Sequence, residues 1–145
     1  MTQYTPTERT TPSRYANKRM HYDVETVHQI LDEALFCTIS YCADDRPFAI
    51  PTGFVRKEHT LYIHGSVGSH FLRAIETGIP VCISVMLTDA LVVAKSAFHH
   101  SVNYRSVTIF SNAVRINEYE KKALFFKELT EKMVPGSWDY LRPMT

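Results

Sequence analysis

Apolar residues first recur at helical spacing from Val24. Val24, Val27, Ile30, Leu31 and Ala34 fall three and four positions apart, which puts them on one face of a short amphipathic helix. Asp23 is its expected N-cap, and Glu25 in the first turn suits the helix dipole. The period then changes. Phe36–Ala43 reads as a strand, Asp44-Asp45-Arg46-Pro47 as a turn, residues 48–56 as a second strand, Lys57-Glu58-His59-Thr60 as a turn and residues 61–64 as a third strand, a pattern that predicts an antiparallel meander. Residues 65–69 lead into a short helix from about Ser69 to Thr77, closed by Gly78. Residues 80–87 and 90–95 read as two strands separated by a Thr88-Asp89 turn, and residues 103–115 as the sixth. In residues 118–133, Tyr119, Ala123, Phe126, Thr130 and Met133 lie at three-four spacing, widened by Leu124, Phe125 and Leu129. This predicts a core-facing helix with Lys121, Lys122, Glu128, Glu131 and Lys132 on its solvated face, ended by Pro135-Gly136. Six short strands with three helices predict an α+β, mainly β fold: a six-stranded antiparallel barrel with a few flanking helices.

The first twenty residues share none of this periodicity. They are rich in Thr, Pro, Arg and Tyr and predict an extended arm over residues 1–20, with residues 21–145 as one domain. Arg9, Arg14, Lys18 and Arg19 fall in the arm, which is either a solvated tail or a wrap around a partner subunit or ligand. A chain of 145 residues with 45% hydrophobic residues builds a normal core without disulfides or metals. Sixteen Lys and Arg against fifteen Asp and Glu, well interspersed, exclude a strongly basic nucleic-acid footprint. Cys37, Cys42 and Cys82 sit in strand-like runs rather than at framework spacings, the pattern of buried free thiols in a reducing compartment. No apolar run resembles a signal peptide or a membrane span, so the expectation is a soluble, cytoplasmic protein.

Hydrolase, phosphate-loop, zinc-protease and dinucleotide fingerprints are absent. A zinc site needs about four converging ligands. Adjacent His99 and His100 do not easily turn both rings to one ion, and His64 and His70 are separated by a loop-to-helix change, so no metal is expected. An anion site is better supported. His64, Gly65, Ser66, Gly68 and Ser69 run from a strand end into a helix start, where free N–H groups and the dipole favour negative charge. His70 or Arg73 could complete it; the alternative is an ordinary capped helix start. Pro51, Thr52, Gly53 and Phe54 form a strand whose Pro and Gly mark a place of close approach to the backbone. The segment from Ser96 to Ser106 is the most chemically varied in the chain. Alternation puts Asn103 and Arg105 on one face and Tyr104 and Ser106 on the other. The plainest account of it has His99 and His100 capping a loop and Arg105 in a surface ion pair. Together the three stretches describe a site for a planar, phosphorylated molecule.

The His64-Gly65-Ser66 strand end and the Ser96–Val107 string Ser-Ala-Phe-His-His-Ser-Val-Asn-Tyr-Arg-Ser-Val resemble hallmark segments of the pyridoxamine-phosphate-oxidase-like flavoproteins, in particular the 5-nitroimidazole-resistance branch. Ile-Pro-Thr-Gly-Phe at residues 50–54 and Val-Pro-Gly-Ser-Trp-Asp at residues 134–139 resemble the same branch. The resemblance implies an FMN-binding split β-barrel, a homodimer with FMN at the interface. It places Pro51 to Phe54 along the isoalloxazine ring, His64, Gly65, Ser66, Ser69 and His70 near the ribityl and phosphate, and Asn103, Tyr104 and Arg105 on the interface side. It further implies hydride transfer from a nicotinamide donor through FMN to a small organic acceptor such as a nitro compound. Arg105 would stabilise reduced flavin, and His99 or His100 would serve as the catalytic general acid. The alternative is a non-catalytic flavin, haem or deazaflavin binder on the same barrel. An oxidase of pyridoxamine phosphate itself is disfavoured, because the C-terminal stretch lacks further basic residues. Two departures stand out. His70 occupies a position where many relatives carry Arg or Lys, which implies a weaker or pH-sensitive phosphate clamp. The sequence also stops at Thr145 where relatives commonly continue with further strand, so either a trimmed chain or a differently closed barrel is expected.

Overall fold

A computed structural model describes residues 2–11 and 17–143; Arg14 of the expected arm lies outside them. Asp23 accepts a hydrogen bond from the Thr26 N–H at 3.0 Å and starts helix α1, Val24–Glu33. Strands β1, Phe36–Ala43, and β2, Arg46–Lys57, are joined by Asp44 and Asp45, both at positive φ (52° and 57°), the conformation a two-residue hairpin with right-handed twist requires. β3, Thr60–Ile63, completes the expected meander. Helix α2, His70–Ile75, crosses from that edge back to the far side of β1, where β4, Pro80–Val92, pairs with it. β5, Ser101–Asn112, and helix α3, Tyr119–Met133, follow. The sheet is antiparallel, ordered β3-β2-β1-β4-β5.

The expected six strands are five, and the sheet is not closed. Residues 80–95 do not turn at Thr88-Asp89. Thr88 pairs with Tyr104 and Ala90 with Asn103, so Asp89 is the one extra residue of a β-bulge inside a continuous strand. The partner strand runs on through the irregularity, and the displaced Asp89 carboxylate takes hydrogen bonds from Arg105. A polar pair that resembles a turn in sequence is here a kink. Among the described residues no helix is long and apolar enough to cross a membrane.

The core lies mainly on one face of the sheet. Cys37, Ile39 and Tyr41 of β1 alternate inward beside Val81, Ile83 and Val85 of β4, Val107 of β5 and Phe54 of β2, under Ile30 and Leu31 of α1 and Phe71 and Ile75 of α2. The opposite face of β2, at Val55, is covered by Phe125 and Leu129 of α3. The α3 residues assigned to solvent divide. Lys132 is half-buried, donates to the Leu31 and Phe54 carbonyls at 3.0 and 3.3 Å, and lies 4.0 Å from the centre of the Phe54 ring, tying α3 to α1 and β2. Glu131 accepts from the Gly136 and Trp138 N–H groups at 2.7 and 2.8 Å and so anchors the chain that leaves the helix. The three thiols are free, yet only Cys37 is buried, its pKa pushed up to about 11 by that burial; Cys82 is half-buried and Cys42 exposed, which corrects the expectation of three buried thiols.

Candidate functional site

A cleft of about 2250 Å³ joins the two edges of the sheet, with His64 and Gly65 beyond β3 on one side and the whole of β5 on the other. The core-facing residues Ile39 and Ile83 form part of its floor, and α1 and the N-terminal segment part of its wall. It is larger than the roughly 300–1,000 Å³ of an ordinary small-molecule site. An unclosed sheet leaves this space, because neither β3 nor β5 has a further strand to pair with.

Six of the sequence-derived residues meet in the cleft: His64, Gly65, Arg73, Asn103, Tyr104 and Arg105. The His64 ring packs against those of Phe125 and Phe126, centre to centre 5.7 and 5.2 Å. At Gly65 a Cβ would stand 2.9 Å from Leu72 Cδ1, so glycine lets the chain leave β3 close over α2. Tyr104 is half-exposed on β5.

The remaining residues lie elsewhere. Gly53 is covered by Leu129 and Met133 of α3, and Phe54 is wholly buried; Pro51 and Thr52, paired with Thr38 and Cys37 of β1, do not line the cleft. Ser66 accepts from the Gly68 N–H at 3.3 Å, and Ser69 from the Leu72 N–H at 3.5 Å. The Ser69 bond caps a helix only six residues long, and the Ser66 bond lies within the loop before it. His70 faces a separate small hollow with Tyr41, Arg46 and Phe48. His99 and His100 are exposed on a short 3-10 turn, Ala97–His99, where the His100 ring lies 3.1 Å from the Ser96 carbonyl. Neither lines the cleft. Arg73, Lys121 and Lys122 do. The two lysines carry no motif signal and sit on a helix face that, in sequence, looks merely solvated; only the return of α3 across the sheet brings them to the opening.

Arg105 is the electrostatic centre of the β5 wall. Its Nε and Nη2 donate to Asp89 at 3.0 and 2.9 Å, and Nη1 and Nη2 to Glu33 at 2.9 and 3.0 Å. The surface ion pair foreseen for it is thus a double one, binding the end of α1 to the β4 bulge. Hydrogen bonds from Arg105 hold both carboxyl groups below the usual range, and those carboxylates hold the guanidinium pKa above its own. Groups whose folded pKa is depressed contribute stability that is complete above their unfolded pKa, about 4, and is lost as pH falls through the folded value. The melting-temperature gap between wild type and Asp89→Asn is therefore expected to be constant above about pH 5 and to shrink below about pH 4. A gap that persists undiminished into strong acid would show that the pair does not couple to folding.

A family model described as pyridoxamine 5'-phosphate oxidase matches residues 23–145, and the chain belongs to that family. Among solved structures, the FAD and heme binding protein from Mycobacterium smegmatis is 37% identical with a TM-score of 0.77, over 85% of this chain and 60% of its own. The flavocytochrome Anf3 from Azotobacter vinelandii is 34% identical with a TM-score of 0.85, over 96% of this chain and 64% of its own. The chain thus spans under two thirds of the length of either. A Bacteroides thetaiotaomicron protein described as a 5-nitroimidazole antibiotic resistance protein, 18% identical with a TM-score of 0.64 over 85% of this chain and 69% of its own, shares the fold. No curated protein sequence matches the chain. The family resemblance drawn from the motifs is borne out.

Proposed function

We propose that this chain is the flavin-binding domain of an oxidoreductase that takes FMN in the cleft between β3 and β5 and passes electrons from a nicotinamide donor to a small organic acceptor. The observation that carries the reading is that two motif segments far apart in sequence, His64-Gly65 and Asn103-Tyr104-Arg105, line the same opening. Arg73, Lys121 and Lys122 supply positive charge for a flavin phosphate, and Asn103 supplies hydrogen bonds. When bound, the flavin supplies the hydride chemistry. The two relatives above 30% identity, an FAD and heme binding protein and a flavocytochrome, support a flavin.

The open sheet is, in this reading, one half of a split barrel, completed by a second copy of the chain. The outward face of β1, β4 and β5 supports such a homodimer: Phe36 (59%), Met86 (63%) and Tyr104 (53%) are exposed along it, and exposed apolar side chains grouped on one face suit an interaction surface. A second reading, a non-catalytic flavin, haem or deazaflavin carrier, is supported by one observation: neither His99 nor His100, the general acid of the enzyme reading, lines the cleft.

The test is reconstitution of the purified protein with FMN and separately with FAD, followed by NADH or NADPH oxidation with a nitroaromatic acceptor. Flavin uptake in the visible spectrum with donor-dependent turnover is the expected result. Uptake without turnover selects the carrier, and failure to take up either flavin overturns the assignment.

A further inference from the structure

Tyr4 stands between two histidines from different elements. Its hydroxyl lies 3.0 Å from Nε2 of His28 on α1 and 2.9 Å from Nδ1 of His59 in the β2–β3 turn, and the two imidazole centres are 5.3 Å apart. Tyr4 belongs to the segment of residues 2–11, which forms part of the cleft wall. The other ties of that segment are backbone bonds, Tyr4 N–H to the Tyr22 carbonyl at 2.8 Å and Val24 N–H to the Thr2 carbonyl at 3.1 Å, a hydrogen bond from the Tyr22 hydroxyl to the Thr10 carbonyl, and Arg9 lying 3.8 Å over the Phe110 ring. The side-chain anchor at Tyr4 is the one that joins the segment to both α1 and the β2–β3 turn.

We propose that Tyr4, His28 and His59 form an acid-released latch that holds residues 2–11 against the cleft. The proton count gives the mechanism. A phenol has one hydrogen to donate and an oxygen that accepts. With both rings neutral, Tyr4 donates to one ring nitrogen and accepts from the N–H of the other. With one ring protonated, the imidazolium donates to the oxygen and the hydroxyl still donates to the neutral ring. With both protonated, each ring nitrogen is a donor, the hydroxyl proton has no acceptor in the cluster, and two cations face each other.

The charged groups around the pair set where this happens. Arg56 on β2 faces His28 and Tyr4, Asp32 lies on α1 and Glu58 in the turn. The Arg56 guanidinium is forked onto Asp32 at 2.8 and 2.6 Å and donates to the Glu58 carbonyl at 2.9 Å. One cation against two carboxylates compensates a first added proton but not a second. Burial, and after it Arg56 and His59, hold the His28 pKa below its ordinary value, and burial raises that of Tyr4, keeping the phenol protonated. A histidine pKa lowered by the latched state means that latching is complete at neutral pH and lost on acidification, on the acid side of about pH 6.

Hydrogen exchange of the protein alone tests this without reference to any flavin. After correction for intrinsic exchange, protection of the Tyr4 amide is expected to fall tenfold or more between about pH 7.5 and 5, with the Ile39 and Ile83 amides in the sheet unchanged as the folding control. His59→Gln, which cannot charge, should keep the segment protected across that range. Tyr4→Phe should leave it poorly protected at both ends. No fall in wild type, or the same fall in His59→Gln or Tyr4→Phe, would overturn the latch.

Discussion

Phe54→Ala is expected to lower stability by about 3–5 kcal/mol, the largest effect of any single substitution considered for this chain. Phe54 is 0% exposed and is the largest of the fully buried side chains. It sits where β2 meets α1 on the core face, and Lys132 approaches its ring at 4.0 Å while donating to its carbonyl. Removing the ring leaves a cavity among close-packed neighbours and strips Lys132, already partly desolvated, of its aromatic partner. Against a typical total of about 5–15 kcal/mol this is a large share, and denaturant unfolding monitored by circular dichroism would register it as a lower midpoint. Phe54→Leu, which refills most of the volume, should recover more than half of the loss. A loss under about 1 kcal/mol for the alanine variant would mean that the core relaxes into the space.

Arg105→Ala is the second. Under the proposed function it should weaken flavin binding about tenfold or more, the order expected when a charge-assisted contact network is removed from a binding wall. The reason is specific to this geometry. Arg105 is saturated by Glu33 and Asp89, so its removal does more than delete a cation: it leaves the Asp89 carboxylate facing the cleft without its partner and frees the end of α1 from the β4 bulge. Fluorescence titration with FMN reads the change directly. Unchanged affinity, with the wild-type protein binding FMN, would remove Arg105 from the site while leaving the site itself in place.

The legible and illegible parts of this chain separate by the range of the interaction that decides them. Helix α1 could be read because its apolar spacing and its Asp23 cap are local, and the β1–β2–β3 meander because each turn lies between adjacent strands. Thr88-Asp89 misled because a polar pair between apolar runs looks the same whether the chain reverses or kinks; what decides is Arg105, sixteen residues on, which binds the displaced carboxylate. Pro51 to Phe54 shows a different ambiguity. Proline and glycine in a strand signal that something approaches the backbone, and at Gly53 Leu129 and Met133 of α3 do so. Ser66 and Ser69 illustrate the remaining ambiguity, since hydroxyls at a helix start serve a cap and an anion equally well, and here both bond to backbone N–H groups.

By itself, the sequence determined the helices, the hairpins, the antiparallel α+β class and, through His64-Gly65 and the string ending in Asn-Tyr-Arg-Ser, the family. Those properties follow from periodicity, turn chemistry and contiguous motifs, all of which act over a few residues. Only the tertiary structure decided that the sheet has five strands and stays open, that β3 and β5 bound one cleft, and that Arg105 is shared between two carboxylates. It alone brought Tyr4, His28 and His59 to a single hydroxyl. Each of those depends on which distant segments the burial of Ile39, Phe54 and Val85 draws together, and hydrophobic burial is non-directional: it drives the collapse strongly while saying little about which polar groups will meet at the edges.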